Sequence, residues 1–148
     1  MPRVSYDVFM RECPSRAVLD LLADKWTLLL ICALKGGPRR FGGLRRQIDG
    51  VTQKMLTQTL RALERNGLVS RAVYDTTPPS VEYRLTALGD STTTLMGQMC
   101  DWAQGHVKSV VQAQARYDAR VAAAREPVPG VRRVASGQVA RRAAATSR

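Results

Sequence analysis

A single histidine, His106, serves all 148 residues, so there is no second imidazole for a metal cluster and no supported set of nucleophile, histidine and acid. Cysteine is scarce too. The three thiols, Cys13, Cys32 and Cys100, are widely spaced and odd in number, which fits neither a disulfide framework nor a zinc-ligand pattern. No structural metal and no cofactor is expected. The chain also lacks a glycine-rich phosphate loop, so catalysis is not its expected work. No uninterrupted apolar run approaches the roughly 20 residues of a membrane span, and the opening MPRVSYDVFMRECP lacks the apolar stretch of a signal peptide. A cytoplasmic protein without a membrane span is expected. Acids are in short supply: 12 of them face 23 lysines and arginines, a formal net charge of +11. That surplus favours a polyanionic partner, nucleic acid or a membrane surface, without choosing between them.

What is present begins with enough apolar residues, 45%, for the core of one domain. The informative stretch is residues 51–67, VTQKMLTQTLRALERNG. At about 100° per residue, Leu56, Leu60 and Leu63 share one side, with Val51 upstream as a staple against Leu56. Lys54, Thr57, Gln58, Arg61 and Arg65 project from the opposite side, with Gln53 and the lone carboxylate Glu64 at its edge. Thr52 is the candidate N-cap, and Asn66-Gly67 the stop. Amides and guanidinium groups make bidentate bonds to adenine and guanine edges, while lysine and threonine hold phosphates. Taken alone, the segment is more often an ordinary solvated amphipathic helix.

Its neighbours narrow the choice. After Cys13-Pro14-Ser15, the apolar positions Ala17, Val18, Leu21 and Leu22 predict a short helix to about Leu22. Asp24 caps a second, KWTLLLICALK, apolar nearly all round and therefore central, with Trp26 and Cys32 packing and Gly36-Gly37-Pro38 ending it. Phe41, Leu44 and Ile48 predict a third short helix, preceded by Arg39 and Arg40 and carrying Arg45 and Arg46, a basic face that is either merely solvated or in contact with phosphates. Asp49-Gly50 then turns the chain into the 51–67 helix, the layout of a helix-turn-helix. Residues 68–74 read as a strand, a loop containing Pro78-Pro79 follows, and Val81, Tyr83 and Leu85 alternate with Glu82 and Arg84. The pair makes a hairpin, which after a helix-turn-helix is a wing or else a plain hairpin packed on the helices. Thr86 is expected to cap one long final helix through Leu88, Leu95, Met99, Trp102, His106 and Val110, reaching residues 117–125. His106 is read as a packing or surface residue of that helix. So long a stripe exceeds what one small domain needs, and pairing with a second copy is the expected use.

Together, Cys13-Pro14, the block Asp24-Lys25-Trp26-Thr27-Leu28-Leu29-Leu30, Gly37-Pro38-Arg39-Arg40-Phe41, the run Thr52-Gln53-Lys54-Met55-Leu56-Thr57-Gln58, Leu60-Arg61-Ala62-Leu63-Glu64, Gly67-Leu68-Val69, Pro78-Pro79-Ser80-Val81-Glu82-Tyr83 and Leu85-Thr86 resemble the HxlR-type transcriptional regulators, winged-helix relatives of the MarR group. The resemblance covers roughly residues 13–105. It implies a mainly α fold with a small β-hairpin wing, dimerising through its N-terminal and long C-terminal helices. It also implies a homodimer on double-stranded DNA that binds an inverted repeat, with repression the expected outcome. Carried onto this chain, Gln53, Lys54, Thr57, Gln58 and Arg61 would lie at the major groove. Where the family commonly has a basic residue after Pro-Pro this chain has Ser80, which leaves Arg84 or Arg71 as substitutes for a wing contact.

Several family members use a cysteine at the position of Cys13 to sense oxidants or electrophiles. Cys13 is thus a candidate sensor, flanked by Arg11 and Arg16, which favour a thiolate, and by Glu12, which opposes it; a structural thiol is the other reading. Cys32 and Cys100 are read as core residues. The expected organisation is an N-terminal arm (1–12), the winged helix-turn-helix domain with its dimerisation helix (13–125), and a basic, disordered tail (126–148). The competing function is a basic nucleic-acid-binding protein without sequence choice, against which the amides Gln53 and Gln58 argue. No small-molecule effector can be read from the residues.

Overall fold

The most apolar segment of the chain forms a helix because Asp24 starts it and glycine stops it. In the computed structural model, which describes residues 5–125, Asp24 Oδ2 accepts the Thr27 N–H at 2.9 Å, opening α2 (Lys25–Leu34). Leu30, Ile31 and Leu34 of α2 are fully or almost fully buried. In front of it stands α1 (Pro14–Leu22), which buries no residue completely but packs Leu21 and Leu22 against the core. The tail expected from residue 126 lies outside the described residues.

Arg39 and Arg40 form a two-residue strand, β1, and Phe41–Gln47 form α3. Gly50, at φ 78°, makes the turn into α4 (Gln53–Arg65), where the left-handed backbone suits glycine. As expected, Thr52 caps α4, its Oγ1 accepting the Met55 N–H at 3.1 Å. Gly67, at φ 74°, ends it: its N–H donates to the Glu64 carbonyl, and the Leu68 N–H to that of Leu63, the two bonds of a glycine-terminated C-cap. The wing follows as β2 (Val69–Tyr74) and β3 (Ser80–Leu85), antiparallel with Val69 opposite Leu85 and Tyr74 opposite Ser80.

Two features differ from the sequence reading. First, the hairpin is a three-stranded antiparallel sheet in the order β1-β3-β2, with Arg39 opposite Tyr83 and Arg40 opposite Glu82. A two-residue strand has no periodicity of its own; the free edge of β3 selects it. Second, the final helix is two helices, α5 (Ala87–Asp90) and α6 (Thr93–Arg125). Ser91 and Thr92 separate them, and the hydroxyls of Ser91, Thr92 and Thr93 each donate to a carbonyl three residues earlier, from Leu88 to Asp90. Side chains that compete in this way for backbone carbonyls interrupt a helix. Thr86 therefore caps α5 alone.

The chain forms two compact units, the first ending at Trp102 and the second beginning at Ala103. The core of the first is the α2 stripe, Leu44, Ile48 and Val51, the α4 leucines, Leu68, Val69 and Met96. In the second, the residues of α6 are exposed from Ala103 to Arg120, Val107, Val110, Val111 and Tyr117 included, and Val121 is half-buried.

Short as it is, α5 fixes the exit of α4. Thr86 Oγ1 donates to the Gly67 carbonyl and accepts the Gly89 N–H, while the Thr86 N–H donates to the Leu68 carbonyl. Gly89 is buried directly on that carbonyl, with no room for a Cβ. Glycine to alanine inside a helix ordinarily stabilises by up to about 1 kcal/mol. Here Gly89→Ala is expected to destabilise by about 1–3 kcal/mol through overpacking. Urea denaturation of both proteins checks the sign, and a variant as stable as the parent would mean that the backbone yields.

Candidate nucleic-acid interface

The core fixes which side of α4 meets solvent. Leu56, Leu60 and Leu63 are 0–1% exposed, so Gln53, Lys54, Gln58, Arg61 and Arg65 stand outward, all exposed. Val51, just before the cap, is buried with Leu56, which is the arrangement of a hydrophobic staple and sets the angle at which the chain enters the helix. Thr57 is half-buried, and its hydroxyl donates to the Gln53 carbonyl at 2.8 Å. Its proton is thus committed inside the helix, and it offers solvent a methyl group and an acceptor.

Arg45 and Arg46 occupy the last turn of α3, exposed, one short turn from the start of α4. Arg39 and Arg40 are exposed too but sit on β1, so the sheet rather than α3 sets their positions. None of Arg39, Arg40, Arg45, Arg46, Lys54 and Arg61 is ion-paired to a described residue. The surface is therefore positive and carries its cations uncompensated.

The wing is less basic than its composition suggests. Glu82 Oε1 takes the Arg84 guanidinium at 3.4 Å and accepts the Tyr74 hydroxyl at 3.2 Å. Arg71 stands opposite Tyr83 and Arg84 opposite Ser70, so neighbouring register positions put the two arginines on opposite faces of the hairpin. They are not equivalent substitutes for a tip cation. Ser80 is the first residue of β3, its Oγ 3.3 Å from the Thr76 hydroxyl, which donates to the Pro78 carbonyl at 2.8 Å. The turn beyond β2, residues 75–79, contains no lysine or arginine.

Cys13 stands apart from this surface. It is the N-cap residue of α1, half-buried, beside an open pocket of about 550 Å³ lined by Arg11, Glu12, Arg16 and Asp20 among others. Its sulfur lies 3.0 Å from Ser15 Oγ and accepts the Asp7 N–H at 3.2 Å. The hydrogen bond with Ser15 is the main reason its pKa falls below the ordinary thiol value, the backbone N–H groups of Ser15 and Asp7 adding to it. The arginines expected to do this do not: Arg11 is turned to Glu12, at 3.9 Å. Neither Ser15 nor Asp7 was singled out from the sequence; the only signal was a hydroxyl residue two places after the cysteine.

The family model described as HxlR-like helix-turn-helix matches residues 21–111. The chain belongs to this family. It is 41% identical over 105 residues to the uncharacterized HTH-type transcriptional regulator YtfH of Escherichia coli (strain K12), a match covering 71% of this chain and 83% of that one. Among solved structures it resembles the regulator ytfH from Salmonella typhimurium, with a TM-score of 0.71, 38% identity and coverage of 75% of this chain and 99% of the other. It also resembles the redox regulator HypR in its oxidized form, with a TM-score of 0.59, 40% identity and coverage of 63% and 96%. This HxlR-like chain is thus a helix-turn-helix transcriptional regulator with a winged-helix fold.

The thiol environment is directly testable. A lowered pKa means that the reactive thiolate of Cys13 forms at lower pH than in an unfolded chain, so iodoacetamide should modify Cys13 first and at half-maximal rate below the ordinary thiol midpoint. Ser15→Ala removes the largest cause and should move that midpoint up. Peptide mass mapping of alkylation against pH reads both; a Cys13 no faster than an unfolded thiol would refute the assignment.

Proposed function

We propose that this regulator binds an inverted repeat in double-stranded DNA as a homodimer, reading base edges with α4, and represses transcription from the sites it covers. The exposed face of α4 carries the proposal: two amides, a lysine and an arginine on the side opposite a fully buried leucine stripe. Gln53 and Gln58 suit adenine edges and Arg61 suits guanine, while Lys54, Arg45 and Arg46 take phosphates. Arg39 and Arg40 on β1 supply further phosphate contacts beside the wing. The wing contributes through Arg71, with Ser80 a neutral contact and Arg84 partly neutralised by Glu82.

Exposed apolar side chains support the homodimer. In the first unit Val18 and Leu19 on α1, and Leu95, Met99 and Trp102 on α6, are about half exposed or more, with Phe9 at 88%. Such side chains at helical spacing fit a twofold partner better than water. Among the described residues no helix is long and apolar enough to cross a membrane.

Cys13 is proposed as the sensor of an oxidant or electrophile that releases the DNA. Its lowered pKa and partial exposure supply the chemistry, and the similarity to a protein described as a redox regulator supports the assignment. The test is fluorescence anisotropy on the DNA upstream of its own gene, against a scrambled duplex and across a salt series. Specific binding should exceed nonspecific by about a thousandfold or more at physiological salt. Gln58→Ala should weaken specific binding by about 1–3 kcal/mol and leave the scrambled duplex unaffected. Arg45→Ala should weaken both and reduce the salt slope by about one. Equal affinity for upstream and scrambled DNA, repeated in a genome-wide selection of bound sequences, would refute sequence-specific reading. Oxidant-driven release that persists in Cys13→Ser would refute the sensor.

A further inference from the structure

Cys32 and Cys100 are 68 residues apart in sequence, yet their sulfurs are 3.7 Å apart. Cys32 lies on the face of α2 that packs against the core; Cys100 lies one turn beyond the buried Met96 on α6, and both sulfurs belong to the first unit. Each cysteine is half-buried, so small oxidants reach what bulky reagents do not. We propose that this pair is a second redox site, an intrachain dithiol that a peroxide converts to a disulfide stapling α6 to α2. The peroxide oxygen is transferred to one sulfur as a sulfenic acid, releasing one water. The second sulfur then attacks the first, the S–O bond breaks, and the hydroxyl leaves with the remaining thiol proton as a second water. Two thiols are oxidised, and one peroxide is reduced.

Burial, followed by the hydrogen bond with Cys100, pushes the Cys32 thiol up to about 11. The bond would close a ring containing β1, α3, α4, β2, β3 and α5, the whole surface assigned above to DNA. A cross-link closing so long a loop removes much conformational entropy from the unfolded chain. Oxidation here therefore stabilises the fold, the reverse of a releasing signal. The inference does not rest on the DNA reading.

The test uses the full chain carrying Cys13→Ser, which removes the exposed thiol and leaves the pair intact. After hydrogen peroxide, intact mass should fall by two hydrogen atoms, a peptide joining Cys32 to Cys100 should appear in the nonreduced digest, and the melting temperature should rise by about 5–10 °C. Dithiothreitol should reverse all three. Two free thiols after treatment, sulfinic acids in place of the bond, or a disulfide between chains on a nonreducing gel would overturn the proposal. A bond formed with no rise in melting temperature would overturn the staple.

Discussion

Everything at the surface of this regulator depends on the packing of three leucines of α4 against α2. Leu56, Leu60 and Leu63 meet a core that includes Leu30, Ile31 and Leu34, all essentially removed from water. Each such burial is worth about 1.5–3 kcal/mol, and truncating one to alanine typically costs about 2–5 kcal/mol. The energetic commitment is also a geometric one. A helix with one face held this firmly has no rotational freedom left, so the positions of Gln53, Lys54, Gln58 and Arg61 follow from those of the leucines. The staple and cap at one end, and the glycine turn held by Thr86 at the other, fix the remaining freedom, sliding along the axis.

Charge is distributed by the same logic. The cations of α3, α4 and β1 form no ion pair with a described residue, whereas the carboxylate placed to matter on the sheet, Glu82, is spent on Arg84 and on the Tyr74 hydroxyl. An exposed pair at 3.4 Å adds little stability. Its effect is on position, because it holds Arg84 along β3 and away from the turn beyond β2. The sheet is thus braced as a scaffold, with its unpaired positive charge at the β1 edge and at Arg71 rather than at the tip. That edge exists only because Arg39 and Arg40 add to β3.

Helix periodicity made most of the fold legible. The α4 stripe, the Asp24 and Thr52 caps, the Asn66-Gly67 stop and the hairpin were all readable because each is a local rule written in neighbouring residues. What escaped was non-local. Nothing in Arg39-Arg40 announces a strand until β3 presents an edge, and the break at Ser91-Thr92 depends on where three hydroxyls find carbonyls. The exposed face of α4 was legible because it is the complement of the leucines. The hydrogen bonds that tune Cys13 were not, since the Asp7 N–H reaches its sulfur across six residues of irregular chain. The Thr27 hydroxyl, buried without a hydrogen-bond partner among the described residues, was equally invisible in a block read as apolar nearly all round.

The thiols show how one residue type acquires opposite chemistry from its surroundings. Hydrogen bonds from a hydroxyl and from backbone N–H groups favour the charged form of Cys13, whereas burial and a neighbouring thiol disfavour that of Cys32. Nucleophilic reaction follows the thiolate, and the hydrogen bonds around Cys13 favour that form there. On the proposed assignments oxidation of Cys13 releases DNA, and the Cys32–Cys100 bond secures the fold that must bind again when reductant returns. The two events need no relay between the sites, because the chemistry of each is set by its own neighbours.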